Sequence, residues 1–454
     1  IGTGTDAKKF ILQSVGRGVR IEPLPNARRR LQYLGDQVSD ARFAALRDVV
    51  SPLETLFIFG TNRQALHTVI AQMRQEEGDV PTHQLSLNVN PQVQGKTLLI
   101  PTYRLADRPL LEQRAPAKFP ITEDELALLQ SYIVYLGDSR VLLARHHATP
   151  RQIGMVQQTL DDPNRYFRMD GRPYGDLNVL IPRLWGYLDI VPQEWDGLKP
   201  LADEIRHFQQ IKVQLKDITE LQGLIDGVRD YRDKTTRKKE LLLQLSRGEI
   251  TPEQLMEESE KLSELQQTAT FRHPEGDLEI RHVAAHYYLP LILTEFERAT
   301  YINHVIRHPS EVKFVHDLEA YLQRPNNGFA AFDWWLFSKL DETVDSVYLP
   351  YYDPNVNAIR RFNPDFVFWL QRGKEYHVLF VDPKGTQLSG YQHKVDGYVG
   401  LFSDADTRQP RVLPYGDLDV RIHLMLYTSD ANLVGAGYQG YWYDRVEELV
   451  RQLQ

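Results

Sequence analysis

The chain of 454 residues contains no cysteine. Disulfide frameworks, thiolate zinc sites, iron–sulfur clusters and a cysteine nucleophile are thereby excluded. No apolar run approaches the ~20 residues that a membrane span needs, so no membrane-embedded part is expected. The opening Ile1–Phe10 stretch carries neither an apolar signal core nor an Arg/Ser-rich amphipathic pattern, and a cytoplasmic location is expected. Because the first residue is Ile, we expect the rear part of a longer polypeptide. A surplus of positive charge is missing as well: 53 Lys and Arg face 61 Asp and Glu, a net charge of -8. Nucleic-acid binding would then need a local basic stripe rather than a basic total. A phosphate loop is also lacking. The sole Gly-Lys-Thr, at Gly95–Thr97, has Asn90 where such a loop needs glycine, and it leads into a strand rather than a helix.

What is present fits a protein with packed cores, 42% hydrophobic and 25% charged. The length suggests about three domains at ~150 residues each. Four regions are expected. In residues 1–75 a buried-strand run, Leu56–Phe59, ends at Gly60 and is followed by an amphipathic helix, Arg63–Gln75, a doubly wound pattern. Residues 76–200 read as a mixed α+β connection with strands at Thr97–Tyr103 and Tyr132–Leu143. Residues 201–299 read as helical: Ile211, Leu215, Ile218, Leu221, Ile225 and Val228 recur at spacings of three or four. Thr251-Pro252-Glu253-Gln254 spells a helix start. A basic cluster there, Arg232, Lys234, Arg237, Lys238 and Lys239, is either a solvated face or a contact for DNA phosphates. Residues 300–454 read as a separate α/β domain. Its expected helices are Glu311–Leu322, Ala330–Leu340 and Tyr441–Leu453. Its expected strands are Ser346–Tyr352, Asp365–Leu370, Tyr376–Val381 and Val420–Tyr427.

Two motifs carry chemistry. The first is Gln13-Ser-Val-Gly16-Arg17-Gly-Val-Arg20, in which two arginines three residues apart follow a glycine turn and face one way. Paired guanidinium groups suit phosphate oxygens. The run resembles motif VI of superfamily 2 helicases. That resemblance implies that Gln13, Gly16, Arg17 and Arg20 belong to a partial RecA-like domain and meet the γ-phosphate of ATP held by an upstream domain.

The second motif lies near the C-terminus. Three Asp/Glu-x-Lys triplets occur, at Asp6, Glu311 and Asp382, and only Asp382-Pro383-Lys384 follows an apolar strand. Pro364-Asp365, the chain's one Pro-Asp, opens another. Seventeen residues separate Asp365 from Asp382, with a turn at Arg372-Gly373-Lys374, so a hairpin brings the two carboxylates together. Lys384 follows on the same face as Asp382. Two carboxylates and the Pro383 carbonyl offer hard oxygen ligands for Mg²⁺. Asp382 and Lys384 are expected in a solvent-reachable cleft, rimmed by Arg360, Arg361, Lys374 and Lys394. The arrangement resembles the PD-(D/E)xK nuclease superfamily, which implies a third acid on the preceding helix: Glu311, with Glu319 and Glu342 as alternatives. His282 and His286 have a metal-ligand spacing but read as packed core histidines.

Both motifs in this order, joined by a long helical region, resemble the Res subunit of Type III restriction–modification enzymes. The resemblance implies an ATP-dependent, Mg²⁺-requiring endonuclease acting on double-stranded DNA, with a separate methyltransferase (Mod) subunit as partner. ATP would serve only together with the upstream helicase domain. A helicase–nuclease of another defence or repair system without a Mod partner, and a DNA-clamping module with an idle nuclease site, remain as alternatives.

Overall fold

The computed structural model describes residues 80–114, 116–136, 149–171, 173–231, 234–295, 299–383, 390–404, 407–428, 434–435 and 437–453. The chain is a mixed α/β protein with several small sheets and one larger one. It divides into two compact units, Ile1–His83 with Val213–Ile218, and Gln84–Lys212 with Thr219–Gln454. In the first, the described residues are 80–83 and 213–218, joined where the His83 ring meets the Leu215 carbonyl at 3.1 Å. Everything below concerns the second. Among the described residues no helix is long and apolar enough to cross a membrane.

The front of the second unit pairs β1 (Leu99–Leu105) with β2 (Gln193–Pro200) in antiparallel fashion. Between them α1 (Glu123–Leu136), α2 (Pro150–Asp161) and α3 (Leu177–Leu188) pack an apolar core around Leu129, Val156, Leu184 and Leu188. Residues Tyr132–Leu136, expected to start a strand, instead complete α1. Its acidic first turn, Glu123, Asp124 and Glu125, favours a helix N-terminus.

Three helices follow: α4 (Thr219–Arg229), α5 (Lys234–Ser246) and α6 (Pro252–Glu264). Thr251 caps α6 with Gln254 in a reciprocal capping box, as its sequence suggests. The helical expectation for 201–299 holds only between these bounds. Ile211–Gln214 is a strand, and beyond α6 come three antiparallel strands: β3 (Thr268–Phe271), β4 (Leu278–Arg281) and β5 (Leu291–Leu293).

The last part begins with α7 (Pro309–Leu322) and continues into β6 (Trp334–Lys339), a hairpin arm of β7 (Leu349–Asp353) and β8 (Ala358–Phe362), and then β9 (Phe366–Arg372) and β10 (Glu375–Pro383). After them stand α8 (Tyr391–Phe402), β11 (Leu413–Tyr415), β12 (Leu418–Tyr427), β13 (Trp442–Tyr443) and α9 (Val446–Arg451). The sheet order is β6-β9-β10-β12-β11, with β13 on the edge of β12. The β6-β9-β10 meander is antiparallel, whereas β10 and β12 run parallel across the α8 connection. The expected helix at Ala330–Leu340 is in fact a short 3-10 turn leading into β6. Trp334-Trp-Leu-Phe-Ser-Lys339 is aromatic-rich, and such residues favour a pleated, half-buried surface.

The centre of this sheet is apolar on both faces. Phe366, Val367, Phe368, Trp369 and Leu370 are all buried, as are Val378, Leu379, Phe380 and Val381. Such continuous apolar runs belong to strands covered on both sides. One front segment, Thr97–Leu99, reaches in to satisfy its polar atoms. The Trp369 indole donates to the Leu99 carbonyl at 2.9 Å, and the Tyr376 hydroxyl donates to the Thr97 carbonyl at 2.7 Å while accepting from the Leu99 amide. Gly397 lets α8 lie close on the β7–β8 arm: a Cβ there would stand 2.5 Å from the Tyr351 Cβ and 2.9 Å from the Pro350 carbonyl oxygen.

Candidate active site

The β9–β10 hairpin turns through Gly373, whose φ of +57° is a left-handed conformation that glycine adopts without strain. Arg372 pairs with Glu375, and the ladder runs to Phe366 opposite Val381. Carried one step further, that register would bring Asp365 opposite Asp382. Directly opposed residues of an antiparallel pair have Cβ atoms ~5 Å apart on one face. The Asp365 carbonyl accepts from the Leu340 amide at 2.7 Å, which ties the end of β6 to the same point.

A cleft of about 830 Å³ opens at this end of the sheet. Asp365, Glu311, Lys339, Asp341, Glu342 and Pro383 line it, together with His304, Arg307 and His308 from the segment before α7. Glu311 gets there because it shares the buried stripe of α7 with Phe314, Val315 and Leu318. It stands in the first turn of the helix, where the macrodipole favours a carboxylate. The Ser310 hydroxyl donates to the Pro383 carbonyl at 2.8 Å and so fixes the start of α7 to the end of β10.

Lys339, like Asp341, His304, Arg307 and His308, is not singled out by the sequence reading. Its ammonium lies 2.7 Å from the Glu311 carboxylate, and the two residues are only 7% and 3% exposed. Burial pulls the Lys339 pKa down, but Glu311, then Asp365 and Asp341, outweigh it and hold the ammonium above its ordinary value. Lys339 is therefore a fixed positive charge rather than a proton acceptor. Asp341 is engaged too. Burial pushes its carboxyl up, but hydrogen bonds from His304 at 2.7 Å and from Thr343 prevail and keep it well below the usual carboxylate range.

Of the three candidate helix acids, Glu311 and Glu342 line the cleft. Glu319 does not. It is two helical turns away, ~12 Å along the axis, and takes a 2.6 Å hydrogen bond from Arg281. Asp382 is 1% exposed and is not among the residues that line the cleft, which corrects the expectation that it is solvent-reachable. Lys384 lies outside the described residues, as do Gln13, Gly16, Arg17 and Arg20. Lys374, expected on the cleft rim, sits in the hairpin turn at the other end of β10, roughly 25 Å away at ~3.3 Å per residue. Arg360 and Arg361 are exposed on β8, with the Arg361 guanidinium over the Tyr348 ring at 4.5 Å. The Lys394 ammonium lies over the Phe362 ring at 4.4 Å.

Among the described residues no three His, Asp or Glu side chains form a ready metal cage. Mg²⁺ seldom needs one, since it binds through one or two carboxylates and keeps several waters. Asp365 and Pro383 line the cleft and offer oxygen donors of that kind, whereas Asp382 does not line it. His282 and His286 stand on no helix. His286 is fully buried between the Tyr288 and Phe337 rings, with its Nδ1 at 2.5 Å from the Tyr288 carbonyl, as a packed core histidine should be.

One family model matches the chain: residues 302–429 are similar to the YagJ family, a span that runs from just before α7 to just past β12. No curated protein and no solved structure matches the chain.

Proposed function

We propose that the cleft at the open end of the β9–β10 hairpin is the centre of a Mg²⁺-dependent endodeoxyribonuclease of the PD-(D/E)xK kind. What supports this reading is a cleft lined by Asp365 and by Glu311 from α7, at the end of the β9–β10 ladder whose register, carried one step past Phe366 and Val381, would bring Asp365 opposite Asp382. Asp365, Asp382 and the Pro383 carbonyl would hold the metal. Once bound, Mg²⁺ supplies a water of lowered pKa and offsets charge on the scissile phosphate. The chain's own part is positional. Glu311 is held by Lys339, and the permanent Lys339 charge stands ready to stabilise negative charge building beside Asp365. Lys384 would orient the attacking water. Arg360 and Arg361, exposed on the nearby arm, would meet the phosphates of double-stranded DNA.

In the wider reading the chain is the rear portion of a Type III restriction Res subunit. ATP would then act through Arg17 and Arg20 only with an upstream helicase domain, and a methyltransferase subunit would read the sequence. Stable co-purification with such a subunit separates this from a helicase–nuclease of another system. The burial of Asp382 favours a second reading, a DNA-clamping module whose nuclease site is idle. Nicking of supercoiled plasmid in Mg²⁺ decides between them. Asp365→Asn and Asp382→Asn, which keep side-chain volume, should each lower nicking to that of a metal-free control while urea denaturation shows an intact fold. Wild-type rates in either folded variant would refute the nuclease assignment, and a wild-type chain that binds DNA without cutting would favour the clamp.

A further inference from the structure

The opposite end of the same sheet holds a second cavity, of about 460 Å³. Its position follows from the strand register. β11 covers the edge of β12 along Leu418–Val420, and β13 covers it again at Leu426 and Tyr427. Between them, Arg421–Met425 has no neighbouring strand on that side among the described residues, and the cavity opens there. Arg372, Arg408, Arg421, His377, His423 and Tyr398 contribute to its wall.

The charge of that wall is one-sided. Glu375 is the single acid among the described lining residues, and Arg372 already binds it at 2.6 Å. The wall therefore carries three guanidinium groups, those of Arg372, Arg408 and Arg421, against that one carboxylate, which feels Arg421 as well as Arg372. Arg408 adopts a left-handed backbone at φ +58°, a strained conformation for a residue with a side chain. Its guanidinium touches the Gly437 carbonyl at 3.0 Å, on the cavity's other lip.

Two histidines share the wall. His377 Nδ1 and His423 Nε2 are 3.0 Å apart, so a single proton serves the hydrogen bond between them. His377 is only 3% exposed, and burial, then Arg421, lowers its pKa to about 4 and keeps it neutral. The positive charge of the wall therefore comes from the arginines, and guanidinium groups around one small concavity suit an oxyanion.

We propose that this cavity binds a small phosphate-bearing anion, with the Arg421 and Arg408 guanidinium groups as its donors. Tyr398, Tyr441 and Tyr443 also line the cavity and would favour a phosphate ester with a planar substituent over bare phosphate. The site is separate from the hairpin's acidic end and stands whether or not that end cuts DNA.

The test is titration calorimetry on the whole chain with inorganic phosphate and, separately, with adenosine monophosphate. At least one should bind with a millimolar or tighter Kd. The monophosphate binding more tightly would support an ester as the natural occupant, and phosphate binding equally well would support the free ion. Arg421→Ala should weaken binding at least tenfold, and Arg408→Ala, at an exposed position, should weaken it if Arg421→Ala fails to fold. Lys238→Ala with Lys239→Ala, on exposed α5, should change nothing. Imidazole NMR should show the His377 ring shifting as ligand is added. The proposal is overturned if neither probe binds, if a folded arginine variant binds like wild type, or if the α5 variant loses as much as the cavity variants.

Discussion

The two ends of the β9–β10 hairpin make opposite use of burial and charge. At the open end, Glu311, Asp341, Glu342 and Asp365 gather around a cleft, and Lys339 is buried among them in a close ion pair. At the turn end, Arg372, Arg408 and Arg421 gather around a cavity where the one acid among the described lining residues is bound by Arg372. One end stabilises itself with a counter-charge brought in by the fold, and the other holds more positive charge than its one described acid answers. Counter-charged groups answer to folding, whereas unanswered ones are free to answer to a ligand.

Stability measurements on the free protein can break or sharpen that contrast. Lys339→Ala should have the largest effect, a loss of about 3–5 kcal/mol, because it leaves Glu311 buried without its cation. Pairing it with Glu311→Leu should recover much of the loss. A Lys339→Ala protein that denatures in urea like wild type would mean that the open end is not held by its ion pair. Gly397→Ala, on α8 and at neither end, calibrates pure packing. The clash with Tyr351 and Pro350 costs ~1–3 kcal/mol, and the gain in helix propensity returns up to ~1 kcal/mol, so a net loss of about 1–2 kcal/mol is expected in the same urea assay. Arg421→Ala should have the smallest effect, within about 0.5 kcal/mol of wild type, since it removes no ion pair. A loss as large as that of Lys339→Ala would place Arg421 in the frame of the fold and erase the difference between the ends.

Much of the sheet could be read from the sequence because its strands are short apolar runs bounded by turn residues. Asp365–Leu370 and Tyr376–Val381 are expected within two residues of their observed limits, and Gly373 marks the turn between them. Glu311 could be found because its helix shows a clear apolar stripe. Lys339 could not. It closes Trp334–Lys339, which reads equally well as a helix, and a lysine at the end of an apolar run gives no sign that a carboxylate 28 residues earlier will meet it. Ile211 and Leu215 carry helical spacing, but Ile211 and Val213 also alternate as a strand does, and tertiary pairing decides such short segments. Lys374 was assigned to the wrong end because nearness in sequence to Asp382 was taken for nearness in space, whereas an extended strand carries its two ends apart.

The hydrogen bonds from Trp369 and Tyr376 to Leu99 and Thr97 also bear on where this polypeptide can be cut. A piece starting at residue 300 would keep every strand of the large sheet and would contain both acids of the hairpin. It would also strip the Trp369 indole N–H and the Tyr376 hydroxyl of their acceptors and uncover the apolar surface around them, where Thr97–Leu99 and Tyr287 now pack. The shortest fragment that keeps those two groups partnered has its N-terminus ahead of Thr97, so the natural seam for truncation runs more than two hundred residues upstream of the sheet it would release.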